Sequence, residues 1–102
     1  MIGDKIMLHI IKSSPFSKNT FIDSIAYFND GDAVIFIQDA VVITASQHKY
    51  AKILQDLMPE LSVYSLTEDL NARGLSCILG QQVSYPEFVN LTVAHLQTQT
   101  WN

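Results

Sequence analysis

Two runs of consecutive apolar residues constrain this chain more than any other feature: Ile6-Met7-Leu8-His9-Ile10-Ile11, interrupted only by His9, and Ala33-Val34-Ile35-Phe36-Ile37. A strand with one wetted face alternates apolar and polar residues, whereas a strand covered on both faces does not. Both runs are too short for a typical buried helix, and the second is β-branched, aromatic and bounded by Asp32 and Asp39. Between them Phe21, Ile22, Ile25 and Phe28 recur at helical spacing, with Ser17 as the expected cap and Gly31 as the expected end. Strand, helix, strand in this order predicts a parallel sheet with right-handed crossovers.

The pattern continues downstream. Ala40–Ala45 follows the second strand by only two residues and is read as a short helix. From His48 to Met58 a further helix places Tyr50, Ile53, Leu54 and Leu57 on one face, and Pro59 is expected to stop it. Leu61–Leu66 alternates as a third strand. Thr67 is expected to cap a short helix with Glu68 and Asp69 in its first turn, Arg73 in its last and Gly74 at its end. A weak fourth strand falls within Gln81–Ser84. The last helix opens on Ser84-Tyr85-Pro86-Glu87, a capping-box pattern with an early proline. Its apolar positions Tyr85, Phe88, Val89, Leu91, Val93 and Leu96 span an arc of about 200° at 100° per residue. A helix lying on a sheet needs little more than half of that. The expected fold is therefore α/β: one domain, a mostly parallel, doubly wound sheet of four to five strands flanked by helices.

Composition points the same way as the wide arc. Of the 102 residues, 48% are apolar or aromatic and only 16% are charged, against about 25% charged in an ordinary soluble domain. So small a chain has more surface than it can cover with polar groups alone, and the excess is expected as an exposed apolar patch of the kind that meets a partner. The net charge is −4, and the bases are scattered, which argues against direct nucleic-acid binding. No stretch is long and apolar enough to span a membrane, and Met1–Lys5 lacks the character of a signal peptide. A single cysteine excludes an internal disulfide and suits a reducing compartment.

Ligands of open parallel sheets bind beyond the carboxyl ends of the strands. There this chain places Ser13, Ser14 and Pro15, then Gln38 and Asp39, then Thr67, Glu68 and Asp69. The edge is polar and acidic, without a glycine-rich phosphate loop. His9, His48 and His95 lack metal-ligand spacing and are expected to be packed or surface residues, so no metal and no cofactor is expected. No nucleophile elbow is present. Cys77 is a weak candidate nucleophile: it stands among Leu75, Ile78 and Leu79 with Arg73 the one base nearby, whereas a reactive thiolate wants a cationic, open setting. Glu68, Asp69 and Arg73 are expected to form a surface ion pair or helix-end contacts rather than acid/base machinery.

Several segments, taken in order, resemble one family. Met7–Phe16 (MLHIIKSSPF) resembles the opening of the DsrH/TusB family, the B subunits of tRNA 2-thiouridine synthesis. Ile37–Val41 is similar to its strand ending in a Gln-Asp turn, and Tyr64–Leu75 (YSLTEDLNARGL) to its most specific stretch; Tyr85, Phe88, Val89, Leu91, Thr92 and Trp101 complete the pattern. The match begins at Met7, which makes residues 1–6 an expected extension ahead of a domain over 7–102. The resemblance implies a DsrE/F-like fold, a cytoplasmic location and a heterohexamer with homologous C- and D-type sulfur-relay subunits, two copies of each. It implies that the persulfide-bearing cysteine lies on the D-type partner, so that this chain is not itself an enzyme. Ser14, Pro15, Asp39, Glu68, Asp69, Arg73, Gly74, Phe88 and Trp101 are then structural or interface residues. Where the sulfur-oxidising branch often carries a cysteine in the first helix, this chain has Ser24, which favours the tRNA-modifying branch. Because terminal residues seldom anchor a core, Trp101 is expected to serve assembly more than folding. Alternatives from other classes are a sulfur carrier using Cys77 itself and a homo-oligomeric small-ligand module.

Overall fold

The computed structural model describes residues 7–45, 48–58 and 60–102. Ile6, the expected extension and Pro59 lie outside them. Five strands form one parallel sheet: β1 (Met7–Ile11), β2 (Ala33–Phe36), β3 (Ser62–Leu66), β4 (Gln81–Val83) and β5 (Gln97–Trp101), in the order β4-β3-β2-β1-β5. All of β2 and the last four residues of β1 are buried, as their unalternating sequences require.

The order reverses at β1, so the crossovers cover both faces. On one face Phe21 of α1 (Thr20–Ile25), Ile43 of α2 (Val42–Ala45) and Leu54 of α3 (Lys49–Leu57) pack on Ile11, Val34, Phe36 and Val63. On the other, Leu8, Ile10, Ala33, Ile35, Leu66 and Val83 are met by Phe88 and Leu91 of α5 (Tyr85–Ala94). The short helix α4 (Thr67–Ala72) sits at the carboxyl edge and anchors itself through buried Leu70. A 3₁₀ turn over Gln38–Val41 leads into α2, so Ala40–Ala45 is helical as expected.

Local signals at the helix ends fared unevenly. The capping box is present: the Ser84 hydroxyl accepts from Glu87 N at 3.3 Å, and Ser84 N donates to Glu87 Oε1 at 2.7 Å. Those bonds, the backbone one first, hold the Glu87 carboxyl below its ordinary 4.5. Its contribution to stability is therefore present above that ordinary value and fades as pH falls from there through the lower folded value. Ser84→Ala is expected to cost about 1 kcal/mol in urea unfolding. The stability gap between the parent and Glu87→Gln should be small at pH 7 and close further below the ordinary carboxylate range.

Ser17 does not cap α1. It lies in a turn, where Ser17 N and Lys18 N both donate to the Ser14 carbonyl, and the helix starts after Asn19 without a side-chain cap. That helix ends at Ile25 rather than Gly31, because Ile22 faces solvent and the chain turns early to bring Phe28 onto the core. Gly31, at φ +90°, serves the later turn into β2. Thr67 is the first residue of α4, not its cap; Leu66 takes that position and no side chain caps it. Gly74 does close α4, at φ +65°, and Arg73 stands at its C-cap rather than in its last turn. Helix α3 is capped by a ring: His48 Nδ1 accepts from Tyr50 N and Ala51 N.

The fifth strand was not located from the sequence. Leu96, expected on the last helix, lies past its end and is 75% exposed, and the chain then runs beside β1 from Gln97 to Trp101. All four residues from Gln97 to Thr100 are exposed, so no apolar run announces the strand.

Candidate functional site

The carboxyl edge brings together residues far apart in sequence. The chain leaves β2 through Gln38, whose φ of +52° is unusual for a residue with a side chain. Its backbone N–H donates to Asp69 Oδ2 at 2.6 Å. Next to it Asp39 Oδ1 accepts from Arg73 Nη2 at 2.8 Å and Nε at 3.1 Å, while Arg73 Nη1 reaches the Asp69 carbonyl at 3.1 Å and its carboxylate at 3.6 Å. Arg73 thus ties the turn after β2 to the helix after β3. The expected i, i+4 pair with Asp69 is present; the bond to Asp39, 34 residues away, has no local spacing to announce it. Glu68 is turned elsewhere and accepts from Tyr85 N at the start of α5 with Oε2 at 3.1 Å. Asp39, Glu68, Asp69 and Arg73 therefore join three crossover starts. Each carboxylate is spent on a structural donor, an arrangement that positions loops and leaves no free acid/base pair among these four.

Ser14 and Pro15 follow β1. The Ser14 hydroxyl accepts from Phe16 N at 3.1 Å, and Pro15 is buried. Phe16 is 64% exposed and meets His48 and Tyr50 edge-on, at 5.2 and 5.4 Å. Phe88 is half-buried against the sheet, and Gly74 closes its turn by donating its N–H to the Asn71 carbonyl at 3.1 Å.

Cys77 lies in the segment between α4 and β4 and is half-buried. Its Sγ faces two carbonyl oxygens, Leu79 at 3.1 Å and Gly80 at 3.9 Å, both suited to an S–H donor. The nearby base, Arg73, is already committed to Asp39 and Asp69. Ser24 is fully buried, its hydroxyl bonded to the Phe21 carbonyl at 2.7 Å, so this position has no access to a substrate.

Sequence reasoning missed a buried polar chain. Trp101 Nε1–H donates to His9 Nδ1 at 3.1 Å, which leaves His9 Nε2–H to donate to Asp32 Oδ2 at 3.0 Å; that oxygen also accepts from Asn29 N at 3.0 Å. The His9 and Asp32 side chains are 2% and 5% exposed. Trp101 also packs against the core and lies 5.2 Å from the Tyr27 ring. The premise behind expecting Trp101 to serve assembly more than folding does not hold here: Gln97–Trp101 form a strand, and Trp101 packs on the core and bonds His9. Histidine, aspartate and tryptophan at separations of 23 and 92 residues give no local signal. Among the described residues no group of three or more His, Cys, Asp and Glu is placed to hold a metal ion. Nor is any described helix long and apolar enough to cross a membrane.

A five-stranded parallel sheet whose carboxyl edge is closed by a structural arginine clamp defines the class: a small α/β domain with its charged edge residues tied up in holding the fold. Residues 13–98 match the family model described as DsrH like protein, and this chain belongs to that family. It is 32% identical over 98 residues to Protein TusB of Escherichia coli O1:K1, covering 93% of this chain and all of that one, and equally similar to Protein TusB of Shigella boydii serotype 18. In fold it resembles the crystal structure of the ychN protein from E. coli, with a TM-score of 0.76, 15% identity, and 94% and 98% of the two chains covered.

Proposed function

We propose that this chain is a non-catalytic, structural subunit of a cytoplasmic sulfur relay that passes persulfide sulfur toward 2-thiolation of wobble uridine in tRNA. Its partners in this reading are homologous C- and D-type subunits, two copies of each chain making a heterohexamer. Sulfur arrives as a persulfide on the D-type subunit's cysteine and leaves to a downstream carrier, and this chain contributes surface rather than a thiol. The observation that carries the reading is the setting of Cys77: the one cysteine of a DsrH-like chain stands outside the family's motif segments, with its sulfur turned toward carbonyl oxygens. Tyr85, Val89, Val93 and Leu96, which are 44 to 80% exposed along and just past α5, supply an apolar face for assembly. Co-expression with C- and D-type homologues tests it. The three chains should copurify as one species; an active C–D complex that forms fully without this chain would refute the proposal.

Cys77 is half-buried rather than sealed, which keeps a second reading open: a persulfide carrier in its own right. Incubation with a cysteine desulfurase followed by mass spectrometry separates the two. The structural reading predicts an unmodified Cys77, and a persulfide there in good yield would favour the carrier.

A further inference from the structure

One surface region breaks a local rule without a structural reason. Helix α3 begins with Lys49 and has Lys52 one turn on, with no acid in its first turn, although the positive end of a helix dipole favours carboxylates there. Across from it stand Lys18 and the exposed ring of Phe16. All four lysines among the described residues, Lys12, Lys18, Lys49 and Lys52, fall within segments 12–18 and 49–52, and neither segment contains an Asp or Glu, in a chain of net charge −4. A shallow depression of about 440 Å³ lies between them, lined by the Pro15–Asn19 turn, Lys49 and Tyr50. Its floor carries aromatic surface: Phe16 and Tyr50 meet edge-on, and the Lys49 ammonium sits 5.1 Å over the Tyr50 ring.

We propose that this depression binds an extended acidic segment of a protein partner, with carboxylates paired to Lys18 and Lys49 and an apolar side chain set against Phe16 and Tyr50. The proposal does not rest on the sulfur-relay reading. Among the described residues no carboxylate pairs with either lysine, and both line the same depression as Phe16 and Tyr50, which is the complement of acidic residues beside a hydrophobic one. A bare inorganic anion is the poorer fit, because the Tyr50 and Ala51 N–H groups that could bind it already donate to His48. A nucleic acid strand fits less well too, since two lining lysines are few for a run of phosphates.

The test uses the full 102-residue chain and a fluorescein-labelled peptide, Glu-Glu-Trp-Glu-Glu, read by fluorescence anisotropy. Binding should weaken as salt rises from about 50 to about 200 mM. It should weaken about tenfold in Lys18→Glu/Lys49→Glu, a charge reversal at two exposed contacts, and measurably in Phe16→Ala. All three side chains are exposed, so the variants should stay folded, with thermal midpoints within a few degrees of the parent and Lys49→Glu gaining slightly from the helix dipole. The matched peptide Gln-Gln-Trp-Gln-Gln should not bind. Absence of salt-sensitive binding, full binding by the charge-reversed variant, or tighter binding of a single-stranded oligonucleotide than of the acidic peptide would each overturn the proposal.

Discussion

Replacing His9 with leucine is expected to lower the unfolding free energy by about 3 kcal/mol or more, enough to move a thermal midpoint by roughly 15 °C in a domain of this size. The loss is not mainly one of packing, since leucine fills much of the imidazole's volume. It follows from what remains behind: an Asp32 side chain that is 5% exposed and, among the described residues, keeps the Asn29 N–H alone, and an indole N–H deprived of its acceptor. Removing one partner of a buried polar pair costs the desolvation of the other in full. Asp32→Asn retains an oxygen acceptor for both donors and should cost about 1 kcal/mol. Trp101→Ala should cost about 2 kcal/mol, and a double-mutant cycle with His9→Leu should show clear coupling, because both changes act on one bond. Urea unfolding monitored by circular dichroism provides the measurement. A His9→Leu cost no larger than that of Asp32→Asn would show that the network is peripheral.

Gly80→Ala is expected to be nearly as damaging, at about 3 kcal/mol. Gly80 has φ +76°, and a Cβ there would lie 2.6 Å from the Val63 carbonyl oxygen and 2.7 Å from Val63 Cγ1. Val63 is the second residue of β3, paired with Val34 of β2 and 5% exposed in the core, so neither its backbone nor its side chain can yield cheaply. Left-handed strain alone costs an alanine roughly 1–2 kcal/mol; the collision adds an overpacking cost of similar size. Gly31 and Gly74 provide the internal control. Both have positive φ, but a Cβ at either meets nothing within 4 Å, so their alanine variants should show the strain without the clash. Thermal melts of the three variants should rank Gly80→Ala well below the other two. Equal midpoints would mean that β4 shifts freely away from β3.

How far the sequence disclosed this molecule depends on the range of the interactions concerned. Strands β1 and β2 were legible because burial on both faces leaves an unbroken apolar run, and α5 because its capping box is complete within four residues. Strand β5 was not. Its first four residues are Gln97, Thr98, Gln99 and Thr100, all exposed, and it is held by pairing with β1 and by the Trp101–His9 bond across 92 residues. Likewise Asp39, Asp69 and Arg73 could each be singled out, yet only the Asp69–Arg73 pair lies at a spacing that local rules address. The Asp39–Arg73 bond exists because the sheet sets the ends of β2 and β3 side by side. Ser17, Gly31 and Thr67 show the opposite failure. Each is a good helix-end residue in isolation, but α1 is shortened by the packing of Phe21 and Phe28, and Thr67 follows directly on a strand. The apolar excess, by contrast, was readable from composition alone and appears along α5, which has no fully buried residue.

The central claim is that this chain supports sulfur transfer by its surface and not by its thiol. The most direct measurement is the level of 2-thiouridine in tRNA from cells lacking the chain and complemented with either the parent or Cys77→Ser. Deletion should abolish the modification, and Cys77→Ser should restore it to the parental level. A Cys77→Ser protein that is folded and assembled with its partners, yet leaves tRNA as unmodified as the deletion does, would contradict the account.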